Sequence, residues 1–195
     1  MTAYINLPIQ KKGRKKEMLL TADDYDKLTP PDSGNYELHN GKIIFMASPL
    51  YLHQRVSARL HYWLMDYLMK TDLGIALAAP MDVYFDEHNV VQPDLLYISN
   101  ERLSIIENNR KIKGAPDLVV EILSEGNSPK EMSFKKHLFE YFDVREYWLI
   151  NLKKQTLAQY ENIENEWMLL KTLSIDDTLQ AIVLPDFTLA LKNIF

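Results

Sequence analysis

Leu118-Val119-Val120-Glu121-Ile122-Leu123 is a run of large apolar residues, three of the five β-branched, broken by one acid. Apolar residues on both parities of a short segment predict a strand covered on both faces, here extending from Asp117 to Leu123. Such a strand belongs inside a sheet with helices packed on it. The stretch also makes Glu121 the most informative residue in the chain. Burying an ionised carboxylate is costly, so a metal ion, a basic partner or a strand end opening onto a cleft must offset it. The residue alone leaves those three open.

Downstream, Pro129 to Phe142 reads as a helix with Phe134, Leu138, Tyr141 and Phe142 on one side. Glu146 to Asn151 reads as the next strand, and 156–160, 167–173 and 181–184 as strands that finish the domain. Upstream, strands are expected at 74–79, 81–85 and 90–98, with a short charged segment from Asn100 to Lys113. Leu52, Val56, Leu60, Trp63 and Tyr67, with Leu64 and Leu68 beside them, recur at helical spacing after Pro49. Asn40-Gly41 between two short apolar runs is a strong hairpin signal. Thr21, followed by acids at Asp23 and Asp24, is a good helix N-cap. The fold class expected is mixed α/β: a mixed β-sheet flanked by helices, with extra N-terminal and C-terminal strands. One domain over 1–195 accounts for the pattern, with 1–20 as a mobile arm or peripheral strand.

The chain has 195 residues, 47% hydrophobic and 25% charged, with no cysteine. That composition suits a globular core and excludes a disulfide scaffold or thiolate zinc site. Residues 1–10 lack the apolar stretch of a secretory signal, and no apolar run approaches the roughly 20 residues of a membrane span. The cytoplasm is the expected compartment, with no membrane association. A net charge of −5 counts against a protein that coats nucleic acid, although charge around a site is local. Lys11-Lys12-Gly13-Arg14-Lys15-Lys16 is a basic cluster that reads as a solvated arm or a phosphate-contacting one.

Asp94 is a second acid within a strand-like segment, Val91-Gln92-Pro93-Asp94-Leu95-Leu96-Tyr97. Pro93 removes a ladder donor, which implies an edge, a bulge or a bend there. Two acids on separate strands supply oxygen ligands from rigid elements, as a hard divalent cation requires. Glu37, in the predicted hairpin, is a third candidate carboxylate, and its ordinary alternative is a solvated strand face. Lys135 and Lys136 follow the Glu121 strand by a loop and a helical turn. A helix returning across the sheet brings one ammonium to the carboxylates, to orient water or stabilise charge on a phosphate. His53, in the first turn of the long helix, is a candidate for contacting phosphate. The other histidines lack metal-ligand spacing, and no phosphate-binding glycine loop or serine-hydrolase elbow is present.

Four segments make the chain resemble the Uma-type endonuclease family, once a domain of unknown function, in the PD-(D/E)XK restriction-endonuclease-like superfamily. They are Tyr36-Glu-Leu-His-Asn-Gly-Lys42, Gln92-Pro-Asp-Leu95, Gly114-Ala-Pro-Asp-Leu-Val-Val-Glu-Ile-Leu-Ser124 and Val144-Arg-Glu-Tyr-Trp-Leu-Ile-Asn151. The likeness runs from about Thr21 to Tyr160. It implies a restriction-endonuclease-like core in which Asp94 is the aspartate of the Pro-Asp signature and Glu121 the acid of the (D/E)-x-K element. Leu123 stands where the lysine of that element is expected, and the resemblance moves the lysine to Lys135 in preference to Lys136. Glu37 becomes the extra N-terminal acid, and the Ile122 carbonyl a further metal ligand. The chain departs from the family pattern at Ser124-Glu-Gly-Asn-Ser-Pro129, Glu131, Phe139 and Asp143.

The implied activity is endonucleolytic hydrolysis of phosphodiester bonds, with Mg2+ (or Mn2+) held by Asp94, Glu121, Ile122 and Glu37. Nucleic acid, with DNA first, is the implied partner, contacted by His53 and Lys136. A two-fold homodimer suits cutting both strands of a duplex. The alternative is a catalytically idle nucleic-acid-binding or protein-interaction module on the same fold.

Overall fold

The structure, a computed structural model, describes residues 19–30, 35–108, 110–123 and 128–195. The basic cluster at 11–16, the expected arm up to residue 18, and the loop 124–127 lie outside them.

Helix α1 (Ala22–Leu28) begins at a capping box. Thr21 Oγ1 accepts from the Asp24 amide at 3.2 Å, and Asp24 Oδ2 accepts from the Thr21 amide at 2.9 Å. Strands β1 (Tyr36–His39) and β2 (Lys42–Phe45) form the expected hairpin. Asn40 and Gly41 both take positive φ, 48° and 72°, the paired geometry that matches strand twist in a two-residue turn. Helix α2 (Tyr51–Thr71) buries His53, Val56, Leu60, Leu64 and Leu68. This stripe is rotated from the expected one: Leu52 is exposed, and Trp63 and Tyr67 are only partly covered.

The single strand expected over 90–98 is two strands. After β3 (Gly74–Ala78) and β4 (Val83–Asp86) come β5 (Asn89–Val91) and β6 (Leu95–Ser99). β5 pairs with β1 and β4, whereas β6 pairs with β3 and β9 in another sheet. Gln92-Pro93-Asp94 carries the chain between the sheets, and Pro93 cannot donate to either ladder. The charged segment holds a 3-10 turn (Asn100–Ile105) and two strands that charge had hidden, β7 (Ile106–Glu107) and β8 (Lys111–Lys113). Then follow β9 (Leu118–Leu123), α3 (Pro129–Tyr141), β10 (Glu146–Asn151), β11 (Thr156–Ile163) and β12 (Glu166–Ser174).

The strand expected at 181–184 is absent. A short hairpin of β13 (Thr178–Gln180) and β14 (Thr188–Ala190) flanks that segment instead. Glu146 explains the difference. Its carboxylate is fully buried and accepts from the amides of Ile182 and Val183, at 2.9 and 3.0 Å. It also accepts from Trp148 Nε1 and Gln159 Nε2, at 2.6 and 2.7 Å. The amides held by Glu146 are lost to any ladder.

One mixed sheet was expected and two are present. The main sheet runs β12-β11-β10-β9-β6-β3, with β9 and β10 parallel, and the second runs β2-β1-β5-β4-β8-β7, with β4 and β8 parallel. β9 is covered on both faces, as its composition predicts. Leu118, Val120 and Ile122 meet α2 through Val56, Leu60 and Leu64. Val119 faces α3 through Leu138 and Phe139, and the second sheet through Val83 and Val91. The fold is mixed α/β, with helices flanking mixed sheets.

Candidate active site

Alternation along β9 puts Glu121 on the same face as Val119, toward α3. The β6–β9 ladder pairs Leu96 with Val119 and Leu95 with Val120. One step further along that register, Asp94 stands opposite Glu121. Directly opposed residues of an antiparallel pair project from one face of the sheet. The break at Pro93 therefore delivers Asp94 to the end of the strand that carries Glu121.

Asp94 is anchored through one oxygen. Its Oδ2 accepts from the Ile122 amide at 2.7 Å and lies 3.1 Å from His53 Nε2. The Asp94 side chain keeps 19% of its exposure, against 5% for Glu121, so the pair opens toward solvent on the Asp94 side. His53 arrives from the opposite layer because α2 begins beside this sheet end, and its Nδ1 is buried without a partner.

Lys135 joins the acids from α3. Its ammonium lies 2.5 Å from Glu121 Oε1 and donates to Glu37 Oε1 at 3.1 Å. Lys135 is the close charge partner of Glu121 Oε1, which has no further hydrogen-bond donor. Glu37, fully buried, also accepts from the Gln92 amide at 2.7 Å and meets His39 Nε2 at 2.6 Å. The His39 ring in turn packs against Phe134 of α3, centroids 4.4 Å apart.

One ammonium thus serves two buried carboxylates, and they titrate differently. Burial pushes Glu37 upward, but Lys135, His39 and the Gln92 amide outweigh it and hold the acid at about 2. Burial likewise pushes Glu121 up, to about 8, with Lys135 opposing and the charges of Asp94 and Glu37 adding to the rise. Burial favours a neutral Lys135, yet Glu121, Glu37 and Asp94 together keep it charged and its pKa above the ordinary value. Negative charge at Glu121 is the part of the cluster left under-compensated.

That imbalance bears on the divalent cation the resemblance implies. Among the described residues, no group of three or more histidines or acids stands ready as a cage. Two opposed carboxylates, one of them buried with a lysine as its close charge partner, nevertheless fit magnesium, which takes one or two carboxylates and fills its octahedron with water and substrate oxygens. Asp94 and Glu121 are the residues that would hold it.

The structure brings Glu37, His53, Asp94, Glu121, Ile122 and Lys135 together. Ile122 shows its amide to Asp94. Lys136 stands apart: its ammonium sits 3.7 Å above the Tyr160 ring, and its carbonyl accepts from Trp167 Nε1. Adjacent helical positions differ by about 100°, so only one of the two lysines can face the sheet. His39 and Gln92 went unnoticed in the sequence. His39 could have been found, since residues two apart on a strand share a face. A cavity of about 750 Å³ beside α1, lined by Tyr25, Asp82, Tyr84 and Arg110 among others, touches this cluster only through Gln92.

Among solved structures, the chain resembles one described as a "putative nuclease belonging to DUF820" from Anabaena variabilis. That likeness has a TM-score of 0.74 at 22% identity, covering 90% of this chain and 97% of the other. It shows the fold. No curated protein matches the chain. The model of one family, described as "Putative restriction endonuclease", matches residues 22–192 and so takes in the whole carboxylate cluster, and the chain belongs to this Uma2 family.

Proposed function

We propose that the chain is a divalent-metal-dependent endonuclease that hydrolyses phosphodiester bonds of nucleic acid, with DNA as the substrate. The observation that carries this reading is the opposition of Asp94 and Glu121 at a strand end, with Lys135 held against Glu121 by Glu37. Family membership and the nuclease-like fold support it.

A bound magnesium or manganese ion supplies Lewis acidity toward a phosphate oxygen and lowers the pKa of water. The protein's own residues do the rest. Asp94 and Glu121 would hold the cation, with the Ile122 carbonyl as a further candidate ligand and Glu37 as the acid that would complete or water-bridge the shell. Lys135 orients the attacking water and places a positive charge where the phosphate gains negative charge. His53 keeps Asp94 in place from α2 through Nε2.

The test is calorimetric titration of magnesium and manganese into wild type and Glu121→Gln, followed by assays on supercoiled plasmid and single-stranded DNA. Metal binding and nicking that both vanish in the variant support the reading. A folded wild type that neither binds nor cuts refutes it. That result would favour a catalytically idle nucleic-acid-binding or interaction module, a reading that draws on Lys135 bridging the two carboxylates.

A further inference from the structure

Tyr147 on β10 is completely buried, and its hydroxyl has no hydrogen-bond partner. Phenylalanine would fill the same place without that standing cost. The ring already packs in an aromatic cluster, its centroid 5.7 Å from Phe139, 5.8 Å from Tyr160 and 5.7 Å from Trp167. Packing therefore accounts for the ring and leaves the hydroxyl unexplained.

The sheet places that hydroxyl in the layer of the carboxylate cluster. β10 runs parallel to β9, with Tyr147 beside Val119 and Leu149 beside Glu121. Alternation sends Tyr147 to the face that carries Glu121, one strand over. α3 repeats the relationship from above. Lys135 meets Glu121, and one turn later Phe139 meets Tyr147. Burial raises the phenol pKa well above its ordinary value, and the charge of Glu121 is the next cause, followed by Tyr160 and Asp94.

We infer that Tyr147 is a positioning residue for Glu121: its hydroxyl is the donor that carboxylate takes up when a divalent cation draws it away from Lys135. The inference rests on the metal-dependent reading above. Lys135 is shared, 2.5 Å from Glu121 and 3.1 Å from Glu37, and Glu37 is tied besides to the Gln92 amide and His39, so Glu121 is the carboxylate with fewer other ties. A carboxylate that holds a metal needs an outer donor to fix its orientation, and the loss of such a donor typically weakens metal affinity about 10–100-fold.

The experiment compares wild type, Tyr147→Phe and Tyr160→Phe by metal-free thermal unfolding and by calorimetric titration with Mn2+. Tyr147→Phe is expected to unfold at or above the wild-type temperature, yet to bind Mn2+ at least about tenfold more weakly. Tyr160→Phe, in the same aromatic cluster, is expected to bind as wild type does. Equal Mn2+ affinity in wild type and Tyr147→Phe overturns the inference and leaves the nuclease reading standing. So does an equal loss in both variants, which would assign the effect to ring packing. A lower unfolding temperature for Tyr147→Phe also overturns it, by showing that the hydroxyl has a structural partner. A wild type that binds no Mn2+ overturns inference and reading together.

Discussion

Lys135 stands between α3 and β9 with its ammonium 2.5 Å from Glu121 Oε1, and neither side chain keeps more than 5% of its exposure. The same ammonium donates to Glu37, which lies on the second sheet. A single cation thus joins a helix and both sheets at the point where the candidate chemistry is assembled. The predictions begin there.

Replacing Lys135 with methionine leaves Glu37 and Glu121 as buried acids without their ammonium. Removing one partner of a buried pair costs about 3–5 kcal/mol. Urea unfolding of Lys135→Met should show a loss of that size. Added magnesium should restore part of it if the acids take up the ion, and a fold of unchanged stability would mean that water already solvates the cluster.

Asp94→Asn keeps an oxygen for the Ile122 amide but removes the charge. The fold should survive with nearly wild-type unfolding temperature. Plasmid nicking should fall about a thousandfold, the rate equivalent of roughly 4 kcal/mol of lost electrostatic stabilisation. Nicking within about tenfold of wild type would remove Asp94 from the proposed site.

Glu146 separates a structural acid from those of the candidate site. Glu146→Ala strands two indole and amide donors in the core and two backbone amides at Ile182 and Val183. Each unsatisfied buried donor costs about 1–3 kcal/mol, so a loss of at least about 3 kcal/mol is expected in denaturant titrations. Hydrogen exchange at Ile182 and Val183 should accelerate. If the variant still folds, its Mn2+ affinity should match wild type, and a weakened affinity would mean that Glu146 is coupled to the site.

Thr21→Ala tests the least disputable local element. It removes half of the capping box on α1 and should lower stability by about 0.5–2 kcal/mol in urea, with nicking unchanged. A neutral result would show that α1 is held by packing of Tyr25, which is buried, more than by its cap.

The sequence by itself determined what short-range physics controls. The capping box at Thr21, the Asn40-Gly41 turn, the helices α2 and α3, and the doubly covered β9 follow from residues within a few positions of one another. Glu121 announced itself by the same logic, as an acid in a run with no other place for one. Only the tertiary structure decided which strands pair. The segment 90–98 is strand-like on either side of Gln92-Pro93-Asp94, and nothing local says that Val90 pairs with Leu38 in one sheet while Leu95 pairs with Val120 in another. The strands at 106–113 are charged because one side faces solvent, and 181–184 is apolar yet no strand because a distant glutamate takes its amides.

The site divides along the same line. Asp94 and Glu121 were legible because burying charge is conspicuous in an apolar run. The partnership of Glu37 with Lys135, across 98 positions, was not, since it depends on how one helix is rotated over two sheets. That rotation also turns Lys136 toward Tyr160 and brings Lys135 to the carboxylates. Periodicity sets which residues share a face, but the face that meets the core is chosen by packing, and packing belongs to the whole chain.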